Sequence, residues 1–283
     1  RSACGKCPEA RPSMLHVLRI HGLLSCSRLC YAATMDNRTV EILLDIHQRL
    51  PKQAPGDPAC TRRALEMCEG LPDAPDILDV GCGPGMQTLE LAEATGGHVT
   101  GVDVFDVFLD ELAERAEARG LSDRIRPVNA SMQDMPFEDA SFDLIWAEGA
   151  AYIMGFTQAL SGWRRLLRPG GYIAVSEVVW LDNEPADEVV AFWADEYPAM
   201  TDVESCLEML DAADYEIVGH FTLPDSAWWD NYYEPLEARL DGLREKYADD
   251  PDALEMVEGT QREIDMRREF GDSYGYEFFV ACK

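Results

Sequence analysis

The chain has 283 residues, and its 53 acidic residues outnumber its 24 lysines and arginines, which gives a formal net charge of −29. A surface this acidic repels phosphate groups, so nucleic acids and anionic membranes are excluded as partners. Hydrophobic residues make up 47% of the chain, enough for the core of one large domain. No run of about 18 apolar residues occurs, so no membrane-spanning helix is predicted.

Residues 1–34 differ in composition from the rest, with five basic residues and one acidic residue. Three interpretations stay open for them: an appended or disordered segment, a targeting peptide, or a zinc site built from Cys4, Cys7, Cys26 and Cys30. Met35 then resembles a natural start, and a single domain is predicted over residues 35–283. No metal site is predicted in that domain.

Five further cysteines lie in predicted core or motif positions: Cys60, Cys68, Cys82, Cys206 and Cys282. Scattered, buried cysteines of this kind are typical of reduced thiols, so a cytoplasmic protein is predicted.

Two helices are predicted before the first strand. Asp36 is suited to cap a helix over about 38–50, in which apolar side chains recur along one face. The proline-rich stretch 51–58 ends that helix, and a second helix begins near Ala59.

The most informative pattern covers residues 77–85, where Ile-Leu-Asp-Val runs into Gly-Cys-Gly-Pro-Gly. An apolar run that stops at closely spaced glycines predicts a buried strand turning sharply into a helix. Glycine also lets a ligand approach the backbone where a Cβ would clash. The next short strand ends at Asp103, and a carboxylate there suits the two hydroxyls of a ribose. A nucleoside-bearing cofactor is therefore predicted.

The loop argues against a nicotinamide dinucleotide. The dinucleotide fingerprint would place its third glycine at position 86, which is Met86. Asp79, two residues before the first glycine, would repel a pyrophosphate but suits a ligand that carries an ammonium and a sulfonium group.

Strands and helices then alternate, which predicts an α/β fold with a doubly wound, mostly parallel sheet and helices on both faces. The predicted strands are 77–80, 98–102, 125–128, 142–147, 172–178, 215–222 and 276–282, and the predicted helices between them are 86–95, 106–119, 156–167 and 202–213. Ligands of such sheets bind beyond the carboxyl ends of the strands, where the glycine loop and Asp103 are expected to meet.

Four motifs in order resemble the class I S-adenosylmethionine-dependent methyltransferases. They are the glycine loop at 77–85, Asp-Met-Pro-Phe at 134–137, Phe-Asp-Leu-Ile at 142–145, and Leu-Arg-Pro-Gly-Gly at 167–171. The segments Leu50–Gly56 and Tyr274–Phe279 also resemble an uncharacterised subgroup that acts on small molecules. The resemblance implies a seven-stranded, Rossmann-like sheet with an antiparallel last strand, and S-adenosylmethionine as cofactor.

By the same resemblance, cofactor-binding roles fall on Asp79, Gly81, Gly83, Gly85, Asp103, Val104, Ser131, Met132 and Glu148. The loop and Asp79 would hold the methionine end, and Asp103 the ribose. Many relatives have an acid where this chain has Ser131, so its contact with the adenine is expected to be weaker.

Two insertions, at about 180–200 and 224–273, are predicted to form a helical cap over the substrate. Their aromatic residues are candidate contacts to the acceptor: Trp180, Trp193, Trp228, Trp229, Tyr232 and Tyr233. The alternative is that these rings only pack the insertions onto the sheet. Candidates for a catalytic base are Glu148, Tyr152, Glu177 and His220.

The sequence thus predicts an enzyme that transfers a methyl group to a small-molecule acceptor, such as an amine or an aromatic metabolite. An acidic, aromatic pocket would favour a cationic acceptor. The alternative is a non-catalytic S-adenosylmethionine-binding regulator on the same fold, although the intact Asp79 and Asp103 argue against it.

Overall fold

The computed structural model describes residues 36–283. The predictions made for residues 1–34, including the zinc site, lie outside the described residues. Across 36–283, no helix has both the length and the apolar character that crossing a membrane requires. The same residues contain no group of three or more His, Cys, Asp or Glu that could hold a metal ion. The five cysteines of this part are free thiols.

Within the described residues, eight strands form one sheet in the order β3-β2-β1-β4-β5-β8-β7, and the short β6 pairs with β5. The strands are β1 (Asp76–Val80), β2 (His98–Asp103), β3 (Ile125–Asn129), β4 (Phe142–Glu148), β5 (Leu167–Trp180), β6 (Thr201–Asp202), β7 (Glu216–Thr222) and β8 (Tyr274–Cys282). Neighbours from β3 to β5 are parallel, whereas β8 is antiparallel to both β5 and β7. The predicted fold class is confirmed, and the two-residue β6 is the one strand that the sequence pattern missed.

Helices pack on both faces of this sheet. They are α1 (Asn37–His47), α2 (Pro58–Glu66), α3 (Met86–Thr95), α4 (Asp106–Ala118), α5 (Phe156–Arg164), α6 (Asp187–Glu196), α7 (Val203–Ala212), α8 (Ser226–Trp228), α9 (Glu234–Lys246) and α10 (Pro251–Phe270). A π-helical turn, Trp229–Tyr233, joins α8 to α9. The side chain of Asp36 caps α1, as predicted, by accepting hydrogen bonds from backbone N–H groups.

Side-chain alternation along β1 divides the core in two. Ile77 packs in the cluster that holds residues of α1 to α4 and of the insertion helices, whereas Leu78 and Val80 pack with α5 and α7. Because strand side chains alternate, Asp79 lies on the same face as Ile77. The acid that precedes the glycine loop is therefore on the face covered by α1, α2 and the insertion helices.

Candidate functional site

A cavity lies beyond the carboxyl ends of β1, β2 and β4. Its walls come from the α1–α2 loop, the glycine loop, the ends of β2 and β4, and helices of both insertions. The predicted site residues that line it are Gly81, Gly83, Asp103, Val104, Ser131, Met132, Glu148, Tyr152, Trp193, Trp228, Tyr232 and Tyr233. The structure thus brings most of the predicted cofactor and acceptor residues into one cavity.

The glycine loop is held by backbone hydrogen bonds. The N–H groups of Gly81 and Cys82 donate to the Val102 carbonyl at 2.8 and 3.0 Å, which ties the loop to β2. Gly81, Gly83 and Gly85 have φ of +70°, +51° and +85°, values that favour glycine. The loop therefore exposes bare backbone to the cavity, as a tightly bound ligand requires.

Gly85 lies at the helix end of the loop and does not line the cavity. A Cβ at this position would lie 2.2 Å from Leu112 Cδ1, in addition to the strain of the positive φ. We expect Gly85→Ala to lower the free energy of unfolding by about 2–4 kcal/mol, from backbone strain and overpacking together. Urea unfolding would measure this loss. Gly120→Ala is the matched control, because Gly120 has φ +67° but no atom within 4 Å of its Cβ position. If the two variants lost the same free energy of unfolding, the overlap with Leu112 would not contribute to the loss.

Asp103 is oriented by two backbone donors. Gly83 N–H donates to Oδ2 and Phe105 N–H donates to Oδ1, both at 3.0 Å. Burial raises the pKa of this carboxyl, and these N–H groups oppose that rise. A carboxylate accepts up to about four hydrogen bonds, so two remain for a ligand. This geometry suits a pair of ribose hydroxyls.

Asp79 is fully buried and does not line the cavity. Its carboxylate accepts from Thr88 Oγ1 at 2.5 Å and from Gln87 Nε2 at 3.4 Å, both on α3. Burial raises the pKa of Asp79 to about 7, and the negative charge of Glu148 adds to the rise. Asp79 thus fixes the start of α3 rather than contacting the cavity directly.

Glu148 is the centre of a buried network that the sequence did not predict. Its Oε2 lies 2.8 Å from Lys52 Nζ, and both side chains are almost fully buried. Its Oε1 accepts from Trp146 Nε1 at 2.8 Å and from Thr61 Oγ1 at 2.9 Å. Lys52 also donates to Gln87 at 2.9 Å. A carboxylate with three such partners is poorly placed to act as a general base.

The loop that carries Lys52 packs against the glycine loop and the end of β4. An added Cβ would lie 3.1 Å from Gln53 Cγ at Gly83 and 2.5 Å from Ala54 Cβ at Gly149. Gly56 N–H donates to the Ala227 carbonyl at 2.9 Å, which links this loop to the second insertion. In the sequence, this loop was noticed only through the Leu50–Gly56 segment, and nothing in that segment indicates that Lys52 pairs with Glu148.

The adenine candidates lie at the cavity edge. Ser131 and Met132 both line the cavity, and the Met132 carbonyl accepts from Trp163 Nε1 at 3.0 Å. The Ser131 hydroxyl accepts from Gln133 N–H at 3.3 Å. Because that hydrogen bond is long, the Ser131 hydroxyl can still form a hydrogen bond with a ligand.

Aromatic side chains form another part of the cavity wall. Tyr232 stacks on Tyr233 at a centroid distance of 4.9 Å, and Trp228 lies 5.2 Å from Tyr276. Tyr197 and Tyr276 also line the cavity, although neither was among the predicted contacts. Trp229 and Trp180 do not line it, and Trp229 instead packs under Arg268. Some of the aromatic residues therefore fit the acceptor prediction and others fit the packing alternative.

Two candidate bases lie away from the cavity. His220 is on β7, the far edge of the sheet, where its Nδ1 contacts Glu277 Oε1 at 2.5 Å. Glu177 is buried, and burial raises its pKa to about 8, but it does not line the cavity. Tyr152 does line it, and burial raises its pKa far above its usual value. The structure therefore does not support a catalytic role for His220 or Glu177.

The geometry fits an adenosyl ligand. Asp103 offers acceptors for a ribose, and the glycine loop offers open backbone to the same cavity. These features were predicted from the sequence, whereas the contribution of Lys52 was not.

Comparisons with known proteins agree with this geometry. A family model described as a methyltransferase domain matches residues 77–171. The 27-O-demethylrifamycin SV methyltransferase of Amycolatopsis mediterranei is 30% identical over 225 residues, which cover 73% of this chain and 76% of that protein. The sterol 24-C-methyltransferase ERG6B of Gibberella zeae is 32% identical over 185 residues, covering 60% of this chain and 47% of that protein. The chain thus spans about half the length of this second relative.

Solved structures show the same fold. The S-adenosylmethionine-dependent methyltransferase of Geobacter sulfurreducens, solved with S-adenosyl-L-homocysteine, superposes with a TM-score of 0.74 at 21% identity. The match covers 85% of this chain and 97% of that structure. Together with the curated relatives, this likeness confirms what the glycine loop and the later motifs predicted: the chain belongs to the class I S-adenosylmethionine-dependent methyltransferases.

Proposed function

We propose that this protein transfers the methyl group of S-adenosylmethionine to a small-molecule acceptor. The observation that carries the proposal is Asp103, held by two loop N–H groups at the edge of a cavity that the glycine loop opens. The second half of the cavity, lined by aromatic side chains, is the space left for an acceptor.

We propose the following contacts for the two ends of the cofactor. Asp103 would accept from the ribose, with Val104, Ser131 and Met132 beside the adenine. The backbone of Gly81 and Gly83 would face the methionine end, and the Lys52–Glu148 pair would meet its carboxylate and amino groups. When bound, S-adenosylmethionine supplies a methyl group on a positively charged sulfur.

The chain's own contribution is alignment and exclusion of water. In-line displacement at a methyl carbon needs the acceptor held close to it and in line with it. The aromatic wall and the closed α1–α2 loop remove water from that position. With Glu148 tied to Lys52, the cavity favours an acceptor that attacks with a free lone pair.

We further propose that the insertions at about 180–200 and 224–273 form the substrate cap. Trp193 and Tyr197 come from the first insertion, and Trp228, Tyr232 and Glu263 come from the second. All of them line the same cavity as the glycine loop, which supports a cap that closes on the acceptor.

A calorimetric titration tests the cofactor assignment. We expect S-adenosylhomocysteine to bind with a one-to-one stoichiometry and NAD to give no heat of binding. Incubation with methyl-labelled S-adenosylmethionine and pools of small metabolites would then reveal labelled products. Binding of S-adenosylhomocysteine without any turnover would favour the non-catalytic regulator, and binding of NAD alone would overturn the proposal.

A further inference from the structure

Glu263 is a carboxylate in the cavity wall that neither the sequence motifs nor the proposed cofactor site uses. It lies on α10, within the second insertion, and faces the cavity beside the aromatic residues. The Tyr233 hydroxyl donates to its Oε1 at 2.9 Å. Within the described part of the chain, no basic side chain forms an ion pair with it.

The basic groups nearest to the cavity are all engaged elsewhere. Lys52 is paired with Glu148. Arg267, one turn along α10, lies 2.9 Å from Asp225 and donates to the Tyr274 carbonyl. Burial lowers the pKa of His47 to about 4, so this ring is neutral. The charge of Glu263 is therefore not compensated by the described residues.

Four phenol side chains line the same cavity as this carboxylate. Tyr232 and Tyr233 lie on the π-helical turn, Tyr276 on β8 and Tyr152 after β4, and all of them line the cavity. Burial and the Glu263 charge together raise the pKa of each of these tyrosines. The rings are thus neutral and within electrostatic reach of Glu263, whose own pKa burial raises to about 6. At neutral pH the arrangement is an anionic carboxylate that shares the cavity wall with four neutral phenol side chains.

We infer that Glu263 and these tyrosines form an acceptor subsite for a nitrogen that becomes positively charged, so that the acceptor is an amine. The inference rests on the proposed function. An uncompensated carboxylate in a partly buried cavity wall is costly, and a cation held against aromatic side chains relieves that cost. A neutral aromatic or hydroxyl acceptor would leave the charge of Glu263 unpaired.

The subsite also fits the chemistry of the transfer. The amine, bound as its neutral free base, gives its lone pair to the methyl carbon as the carbon–sulfur bond breaks, and the electron pair of that bond stays on sulfur. Positive charge passes from sulfur to nitrogen, so no oxidant and no metal is required. A carboxylate fixed beside the nitrogen stabilises the charge as it develops there.

A matched pair of probes tests the subsite on the full chain. Choline carries a quaternary nitrogen, and 3,3-dimethylbutan-1-ol has the same shape with a neutral carbon in its place. With saturating S-adenosylhomocysteine present, we expect calorimetry to show choline binding at least about tenfold more tightly, a preference within the range of a desolvated cation–aromatic contact. Glu263→Gln should bring the two affinities to within about twofold, while binding of S-adenosylhomocysteine stays unchanged.

Glu269→Gln is the matched control, because Glu269 is an exposed acid on the same helix and the substitution removes the same charge. It should keep the preference for choline. Equal binding of the two probes by the unmodified protein, or binding of neither, would overturn the inference whatever the variants do. Failure of S-adenosylhomocysteine to bind would instead count against the proposed function itself.

Discussion

Asp103→Ala is expected to weaken the binding of S-adenosylhomocysteine about 100-fold. The carboxylate accepts from Gly83 and Phe105 and has capacity for two ligand hydroxyls. A hydrogen bond to a charged group contributes about 1.5–3 kcal/mol, so losing the ribose contacts accounts for about 2.7 kcal/mol, or two factors of ten. Calorimetry on the purified protein would measure the change.

A second ligand shows whether the loss occurs at the ribose. The 2′-deoxy analogue of S-adenosylhomocysteine should bind the unmodified protein more weakly than the parent ligand, whereas Asp103→Ala should bind the two almost equally. This is a double-mutant cycle between the protein and the ligand. Asp110→Ala, at an exposed position of α4, is the charge control and should change neither affinity. If Asp103→Ala bound the 2′-deoxy analogue more weakly than the parent ligand by the same factor as the unmodified protein does, the assignment of Asp103 to the ribose would be contradicted.

The cofactor half of the site could be predicted from sequence because its geometry is local. The glycine loop and the strand that ends at Asp103 are each fixed by short runs of residues, and parallel strands bring their carboxyl ends to one edge. The predicted limits of β1, β2 and α3 agree with the structure to within one residue. Pattern and fold are therefore consistent at this edge of the sheet.

The remainder of the site depends on contacts between distant segments. Lys52 and Glu148 meet only because the α1–α2 loop folds over the end of β4. No local sequence pattern predicts that contact. Glu263 lies on a helix rich in acids, where a carboxylate is normally on the solvated face. His220 was chosen by residue type, but β7 is separated from β4 by β5 and β8, so its strand cannot bring it to the cavity.

This division bears on catalysis. In the proposed arrangement, the reacting centre lies between the cofactor half, which the motifs define, and the insertions, which they do not. Of the four candidate bases, Glu148 is engaged by three partners, His220 and Glu177 lie elsewhere, and Tyr152 has a strongly raised pKa. None of these four is a free base at the cavity, which is consistent with an amine that enters as its neutral free base and attacks through its lone pair.

Lys52→Met is expected to lower the free energy of unfolding by about 3–5 kcal/mol. The substitution leaves Glu148 as a buried charge without its cation, which is the usual reason that breaking one half of a buried pair is costly. It also removes the donor to Gln87. Urea unfolding at neutral pH would report the loss as a lower midpoint with an unchanged slope.

The double variant Lys52→Met/Glu148→Gln should recover most of that loss, because a neutral amide keeps an oxygen for Trp146 and Thr61 and buries no charge. Lys246→Met is the matched control. Lys246 also pairs with a carboxylate, that of Asp45, but the Lys246 side chain is 53% exposed, so we expect a loss below about 1 kcal/mol. A loss from Lys52→Met no larger than that of the control, or a double variant no more stable than the single one, would show that the pair does not hold the α1–α2 loop closed over the site.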